Sequence, residues 1–432
     1  MGFRASKRLY KSFMKKLIFF ALLLFLLAGQ AVAGELLTDF PMTEKPPAVF
    51  AMADSLSAEE LPTKEQPADF AMTEKTPTVF SVADSLPTDE LQRVVDELSG
   101  GNQVNVRELL RRLLGGEAVL NADNILASLW NGLLNQLFLR RGLLLRLLAP
   151  ALLCGLLARF RETFSAESVA EICNWACYLC VAAIVVQECV EQSRISRTAV
   201  DGMSMGMQAL FPLLLTLLVA VGGTSSAAFF QPAVVAASGT ITTLVRNVSF
   251  SLALAYLVLS VLDNLSENFS LSRLSGMIKT ASGWSLGICF TVFIGVMAVQ
   301  GFGAAAIDGV SIRTAKYAID NFVPIVGGMF ADTVDTLVGC SLLVKNALGV
   351  TGMILLVGYL AAPLLRLLAT ILVLRIVAAV LEPVTDKRIV HCVGDASSAL
   401  VMLATTQLCI AAMFFLLITQ LLIVGNMTVM MR

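Results

Sequence analysis

Between about residues 142 and 432 the chain is a series of long apolar stretches, and these constrain the fold more than any other feature of the sequence. About 20 mostly apolar residues are enough for a helix to cross a bilayer. Within the hydrocarbon the backbone must satisfy its own polar groups, so such stretches form helices. Only 15% of the residues are charged, against about 25% in soluble domains. The sequence therefore predicts an all-α, polytopic membrane helical bundle.

The apolar stretches predict about seven to nine spans in this membrane domain. They cover residues 143–157, 172–189, 210–221, 228–245, 248–262, 284–299, 321–343, 350–381 and 399–424. Lys and Arg residues occur in almost every connection between them, so the positive-inside rule gives no orientation.

Residues 1–33 have the pattern of a secretory signal peptide. Six Lys and Arg residues lie within the first 16 positions, the apolar run 17–28 follows, and Ala31-Val32-Ala33 is a small-x-small cleavage site. We expect cleavage after Ala33; the alternative is an uncleaved first anchor. In both cases the chain that follows begins outside the cytoplasm.

Residues 34–99 are rich in Pro, Thr, Glu, Asp and Ser and contain a duplication. Residues 40–56 recur as 70–86, and both copies end in Val-Phe-x-x-Ala-Asp-Ser-Leu. Two copies are fewer than the about three that a solenoid needs. Because the apolar content is low, this extracytoplasmic segment is predicted to be disordered. The shared motif is either a docking element or part of a duplicated linker.

Residues 104–141 are predicted to form amphipathic helices, extracytoplasmic or in the membrane interface. A first apolar stripe ends at Gly115 and Gly116, and a second helix begins near Asn121 or Asp123. Apolar residues then recur at helical spacing through Phe138. Such a helix lies in the interface, packs on a partner, or packs within a small domain.

The stretch 304–348 carries charges, a proline and paired glycines inside an apolar sequence, where they are costly. If 321–343 is one helix, its small and polar residues share a narrow sector that suits contact with protein or water. The predicted polar seam consists of Asp320, Pro324, Gly327, Gly328, Asp332, Asp335, Gly339, Lys345 and Asn346. The lysines of this stretch lie too far along the helix to pair with Asp332 or Asp335. The acids then face another helix, another subunit or water, unless they lie at the membrane surface.

A second small-residue stretch is predicted to be a packing turn. It comprises Gly222, Gly223, Thr224, Ser225 and Ser226. Small residues allow close contact between helices. No Lys follows the glycines, so the pattern of a phosphate-binding loop is missing.

The sequence predicts no catalytic residues, cofactor or metal, and hence no enzyme. The single histidine, His391, argues against a His-based metal or hydrolytic site. Cys173, Cys177 and Cys180 share a helix face, but no fourth ligand accompanies them, so we expect them to pack. The net charge of −1 gives no basic excess for nucleic acid.

The runs 314–352 and 222–238, with the signal-peptide start, resemble the stage III sporulation protein AE family of endospore-forming bacteria. The resemblance covers about residue 104 to the C-terminus and leaves out the repeats. It implies a protein of the mother-cell membrane around the forespore, in a secretion-like channel complex required for late forespore gene expression. The implied partners are other stage III sporulation proteins, with a second copy of the chain as a further candidate. No catalytic residues are implied.

Two functions of different class follow. The first is a membrane subunit of that transenvelope channel complex. The second is a stand-alone secondary transporter with a broken-helix site at residues 304–348. The lack of a convincing inverted repeat between the two halves disfavours the transporter.

Overall fold

A computed structural model describes residues 79–99, 105–115, 122–161, 167–265, 271–322 and 327–430. These ranges contain eleven α-helices and no strand. The helices are α1 (Val79–Asp84), α2 (Asp89–Ser99), α3 (Val106–Leu114), α4 (Ala122–Leu139), α5 (Arg141–Arg161), α6 (Glu167–Ala220), α7 (Thr224–Val235), α8 (Thr242–Leu265), α9 (Ser272–Phe322), α10 (Gly327–Leu381) and α11 (Lys387–Met430). A π-helical turn, Ala236–Ile241, joins α7 to α8.

The last helix, α11, is the centre of the bundle. It packs against α10, α6, α8 and α9, and buried side chains occur along its whole length. A helix that is apolar all round is expected to be buried on all sides. By contrast, the apolar part of α9, Ser272–Gln300, is the least buried of the long apolar helices. The bundle is therefore built around α11, and α9 lies at its edge.

Within the described residues, five helical stretches are long and apolar enough to cross a membrane. They are Trp175–Ala220, Thr224–Leu265, Ser272–Gln300, Asp335–Leu381 and Lys387–Met430. This confirms the predicted all-α, polytopic membrane bundle. The number of spans stays a prediction, because α6 contains two predicted spans, 172–189 and 210–221, in one helix about 81 Å long.

The stretch predicted to be one helix over residues 321–343 is described only in part. Described helix α9 runs to Phe322 and α10 from Gly327, and residues 323–326, with Pro324, lie outside the described residues. Helix α10 continues without a break through position 350, where the sequence predicted a new span. The division between the spans predicted at 321–343 and 350–381 is therefore wrong.

Residues 79–99 were predicted to be disordered, and this is wrong: they form α1 and α2. Ala83, Leu86, Leu91 and Val95 are buried, α1 packs on α10, and α2 packs on α6. The Asp84 carboxylate also lies 2.9 Å from the Arg111 guanidinium of α3. The segment itself has few apolar residues, but its contacts with α6, α10 and α3 offset the conformational entropy that it loses on folding.

The predicted end of the first amphipathic helix is confirmed, since α3 ends at Leu114 with Gly115 as its C-cap. The signal peptide, residues 34–78 and the first repeat copy lie outside the described residues.

Candidate functional site

The turn between α6 and α7 depends on its two glycines. Gly222 has a φ of 100°, a left-handed conformation that glycine adopts without steric cost. A Cβ on Gly223 would lie 2.7 Å from the Leu218 Cδ1 atom and 3.1 Å from the Leu218 carbonyl oxygen. The glycines allow the chain to reverse tightly against the end of α6 before α7 begins.

Asp308 of α9 caps the helix that follows this turn. The backbone N–H groups of Ser225 and Ser226 donate to its two carboxylate oxygens, at 2.8 and 2.9 Å. The first N–H groups of a helix lack intrahelical partners, and the helix dipole favours a negative charge there. With only 1% of its surface exposed, Asp308 is a buried carboxylate compensated by a helix N-terminus.

Lys345 of α10 is a fully buried cation held by backbone carbonyls. Its Nζ donates to the carbonyl oxygens of Leu421 and Leu422 in α11, each at 3.2 Å. A Cβ on Gly425 would lie 1.6 Å from this Nζ, so a larger residue there would displace the ammonium from its present position.

The next residue of α10 adds a polar contact between the same two helices. The Asn346 side-chain amide donates to the Asn426 Oδ1 atom at 3.1 Å. One turn later along α10, a Cβ on Gly349 would lie 2.5 Å from the Leu422 Cδ2 atom. Thus α10 and α11 approach closely along residues 345–349 of α10.

Leu218 joins the capped turn to the lysine contact. The Leu218 side chain is fully buried and lies against Gly223. Its Cδ1 atom would also lie 3.4 Å from a Cβ on Gly425. The two stretches that the sequence singled out therefore meet around one leucine of α6. We call this region, comprising the turn 222–226, Asp308, Leu218, Lys345 and Gly425, the polar junction.

The structure brings part of the predicted site together. The turn 222–226, Lys345 and Asn346 all belong to or adjoin the polar junction. Gly339 does not, since a Cβ there would meet no described atom within 4 Å. Asp335 is half-buried. The side chains of Asp320, Pro324, Gly327, Gly328 and Asp332 lie outside the described residues, so their place in a seam stays a prediction.

Sequence reasoning missed the partners of these groups. Asp308 is one of the charges in the stretch 304–348, but nothing in the sequence indicates that it accepts hydrogen bonds from helix N–H groups 82 and 83 residues earlier. The sequence does not single out Gly425 and Asn426, because one glycine and one asparagine near the end of an apolar helix form no pattern that predicts a contact.

Chemically, the polar junction pairs each buried charge with backbone dipoles. Its carboxylate accepts from N–H groups, and its ammonium donates to carbonyl groups; both arrangements fix helices rather than activate a substrate. In the part of the chain that the structure describes, no three His, Cys, Asp or Glu side chains lie close enough to hold a metal ion.

Comparison with known proteins covers most of this helical body, from α3 onward. Residues 104–425 match the family described as stage III sporulation protein AE. A relative named stage III sporulation protein AE, from Bacillus subtilis (strain 168), is 28% identical over 323 residues, which cover 75% of this chain and 81% of the relative. No solved structure matches. The chain, an all-α multi-pass membrane protein, therefore belongs to the stage III sporulation protein AE family.

Proposed function

We propose that the protein is a membrane subunit of the secretion-like channel complex that bridges mother cell and forespore and is required for late forespore gene expression. In this proposal it lies in the mother-cell membrane around the forespore, with residues 34–141 extracytoplasmic. Its partners are other stage III sporulation proteins. Family membership supports a sporulation role, and the five apolar stretches support a place in a membrane.

An exposed apolar stripe on α4 is the observation that favours a subunit of an assembly. Trp130, Leu134 and Phe138 follow one another at four-residue spacing on one helix face, with 63%, 37% and 70% of their surfaces exposed. Helix α4 is not among the five described stretches suited to cross a membrane. Exposed apolar patches of this kind mark interaction sites. We therefore assign the α4 stripe to contact with a partner subunit.

Purification of the tagged protein from sporulating cells tests the proposal. We expect other stage III sporulation proteins to co-purify in fixed stoichiometry, and Trp130→Ser with Phe138→Ser to release them without lowering the amount of protein in the membrane. Trp284→Ser is the matched control, because Trp284 is equally exposed but lies on the apolar part of α9. If the α4 variant retains its partners as well as the control does, the stripe is not the contact.

The charges, proline and paired glycines in the sequence of residues 304–348 favour a second candidate, a stand-alone secondary transporter. Transporter sites form where helices are discontinuous. A protein that purifies alone and supports substrate-dependent uptake in reconstituted vesicles would replace the subunit proposal.

A further inference from the structure

A large groove, separate from the polar junction, runs between α6 and α10. Its volume is about 1250 Å³, larger than the roughly 300–1,000 Å³ of ordinary small-molecule sites. Helices α4 and α5 contribute to its wall, and Leu91, Val95 and Leu109 of α2 and α3 close it on one side. The groove can therefore hold a ligand longer than a metabolite.

The order of contacts along α6 and α10 gives the groove two different ends. At one end Gly352 of α10 contacts Leu210 of α6, since a Cβ there would lie 2.1 Å from the Leu210 Cδ2 atom. Further along, the Tyr359 hydroxyl donates to the Thr198 carbonyl at 3.4 Å. At the other end Arg366 of α10 and Glu188 of α6 both line the groove. By helix rise, Glu188 and Leu210 are about 33 Å apart along α6.

The end near Arg366 carries an excess of positive charge. Four arginines and one glutamate line the groove: Arg140, Arg146, Arg194, Arg366 and Glu188. Arg140 pairs with Glu188, and Arg194 pairs with Glu191. The Arg366 Nε atom is buried and has no hydrogen-bond partner among the described residues. A buried guanidinium N–H without an acceptor is costly, so this end is suited to receive an anion.

The opposite end is apolar. Met203, Met207, Leu210 and Ile418 line it, and methionine adapts to flexible apolar chains. The small residues Gly202, Gly206 and Gly358 keep the passage between the two ends open. The groove thus joins an anion-binding end to an apolar end along one path.

We propose that this groove binds one anionic phospholipid, with the phosphate at Arg366 and an acyl chain along the apolar end. Guanidinium groups match phosphate geometry through paired N–H donors. Basic pockets between transmembrane helices are known sites for anionic headgroups, and a membrane bundle is always in contact with lipid. The proposal goes beyond the assembly function and does not depend on it.

Two variants with matched controls test the two ends separately. Arg366→Gln removes the guanidinium from the charged end, and Arg141→Gln changes an exposed arginine that does not line the groove. Gly358→Leu places a large side chain in the passage. The backbone can accept it, because a Cβ on Gly358 meets no described atom within 4 Å. Gly287→Leu, equally open but on α9, is its control. Each variant must elute from size-exclusion chromatography as the wild type does.

Native mass spectrometry of the full chain in detergent then measures bound phosphatidylglycerol, phosphatidylethanolamine and inorganic phosphate. We expect the wild type to prefer phosphatidylglycerol. Arg366→Gln should weaken phosphatidylglycerol binding about tenfold or more while leaving phosphatidylethanolamine unchanged. Gly358→Leu should abolish binding of both lipids, and both controls should bind as the wild type does.

Wild-type binding of phosphatidylglycerol by both Arg366→Gln and Gly358→Leu would overturn the proposal. So would inorganic phosphate occupying the site as tightly as the lipid, which would show an anion site without an acyl path. A retained peptide in place of lipid would also overturn it.

Discussion

Removing the carboxylate of Asp308 should cost more stability than almost any other single polar change in the described chain. In Asp308→Ala, two backbone N–H groups of α7, one buried and one half-buried, lose their acceptor. A hydrogen bond to a charged group contributes about 1.5–3 kcal/mol, and the helix-dipole interaction adds about 0.3–1 kcal/mol. Because such terms are not fully additive, we expect the free energy of unfolding to fall by about 3–5 kcal/mol.

The conservative variant separates charge from geometry. Asp308→Asn keeps one acceptor oxygen and loses the negative charge, so we expect a cost of about 1–3 kcal/mol, between wild type and alanine. Asp201→Asn is the control, because its pair with Arg246 is 44% and 31% exposed and should contribute only about 0–1 kcal/mol.

Denaturant titration in mixed micelles measures the free energy of unfolding for all three variants. The rank order should be Asp308→Ala, then Asp308→Asn, then Asp201→Asn, from the largest loss to the smallest. If Asp308→Ala costs no more than Asp201→Asn, the two N–H groups do not depend on this carboxylate and the capping argument fails.

The same titration checks three further predictions. Gly425→Ala should lower the free energy of unfolding by about 1–3 kcal/mol, because it displaces Lys345. Adding Lys345→Met should recover most of that loss, and a double variant no more stable than Gly425→Ala alone would contradict the contact. Gly155→Ala should also cost about 1–3 kcal/mol, because its Cβ would lie 2.5 Å from the Val384 carbonyl oxygen, and a neutral result would show that α5 can shift. Asp84→Ala should cost no more than about 1 kcal/mol, since its ion pair is half-exposed; a larger loss would mean that the pair, rather than apolar burial, holds α1 in place.

The sequence predicted what depends on local composition. Apolar length indicated a helical membrane bundle, and Gly115 marked the end of α3. The cost of a charge in an apolar run singled out Lys345 as a member of a polar seam, and the structure places its Nζ atom against backbone carbonyls of α11.

What the sequence could not supply were contacts between distant elements. Apolar length cannot tell whether Pro363 divides two helices or lies within one, as it does in α10. Likewise, the folding of residues 79–99 into helices depends on contacts with α6 and α10, which lie far along the chain. The acceptors of Lys345 lie 76 and 77 residues away, beyond any local pattern.

The lysine contact also has a consequence for biogenesis. Because α11 is synthesised after α10, the ammonium of Lys345 leaves the ribosome before the carbonyls of Leu421 and Leu422 exist. A lone lysine at the centre of a bilayer costs about 2.5–3.5 kcal/mol on insertion scales. We therefore expect α10 to reach its final depth in the membrane only after α11 has been inserted. A nascent chain that is interrupted between the two helices should then be recognised and degraded by membrane proteases.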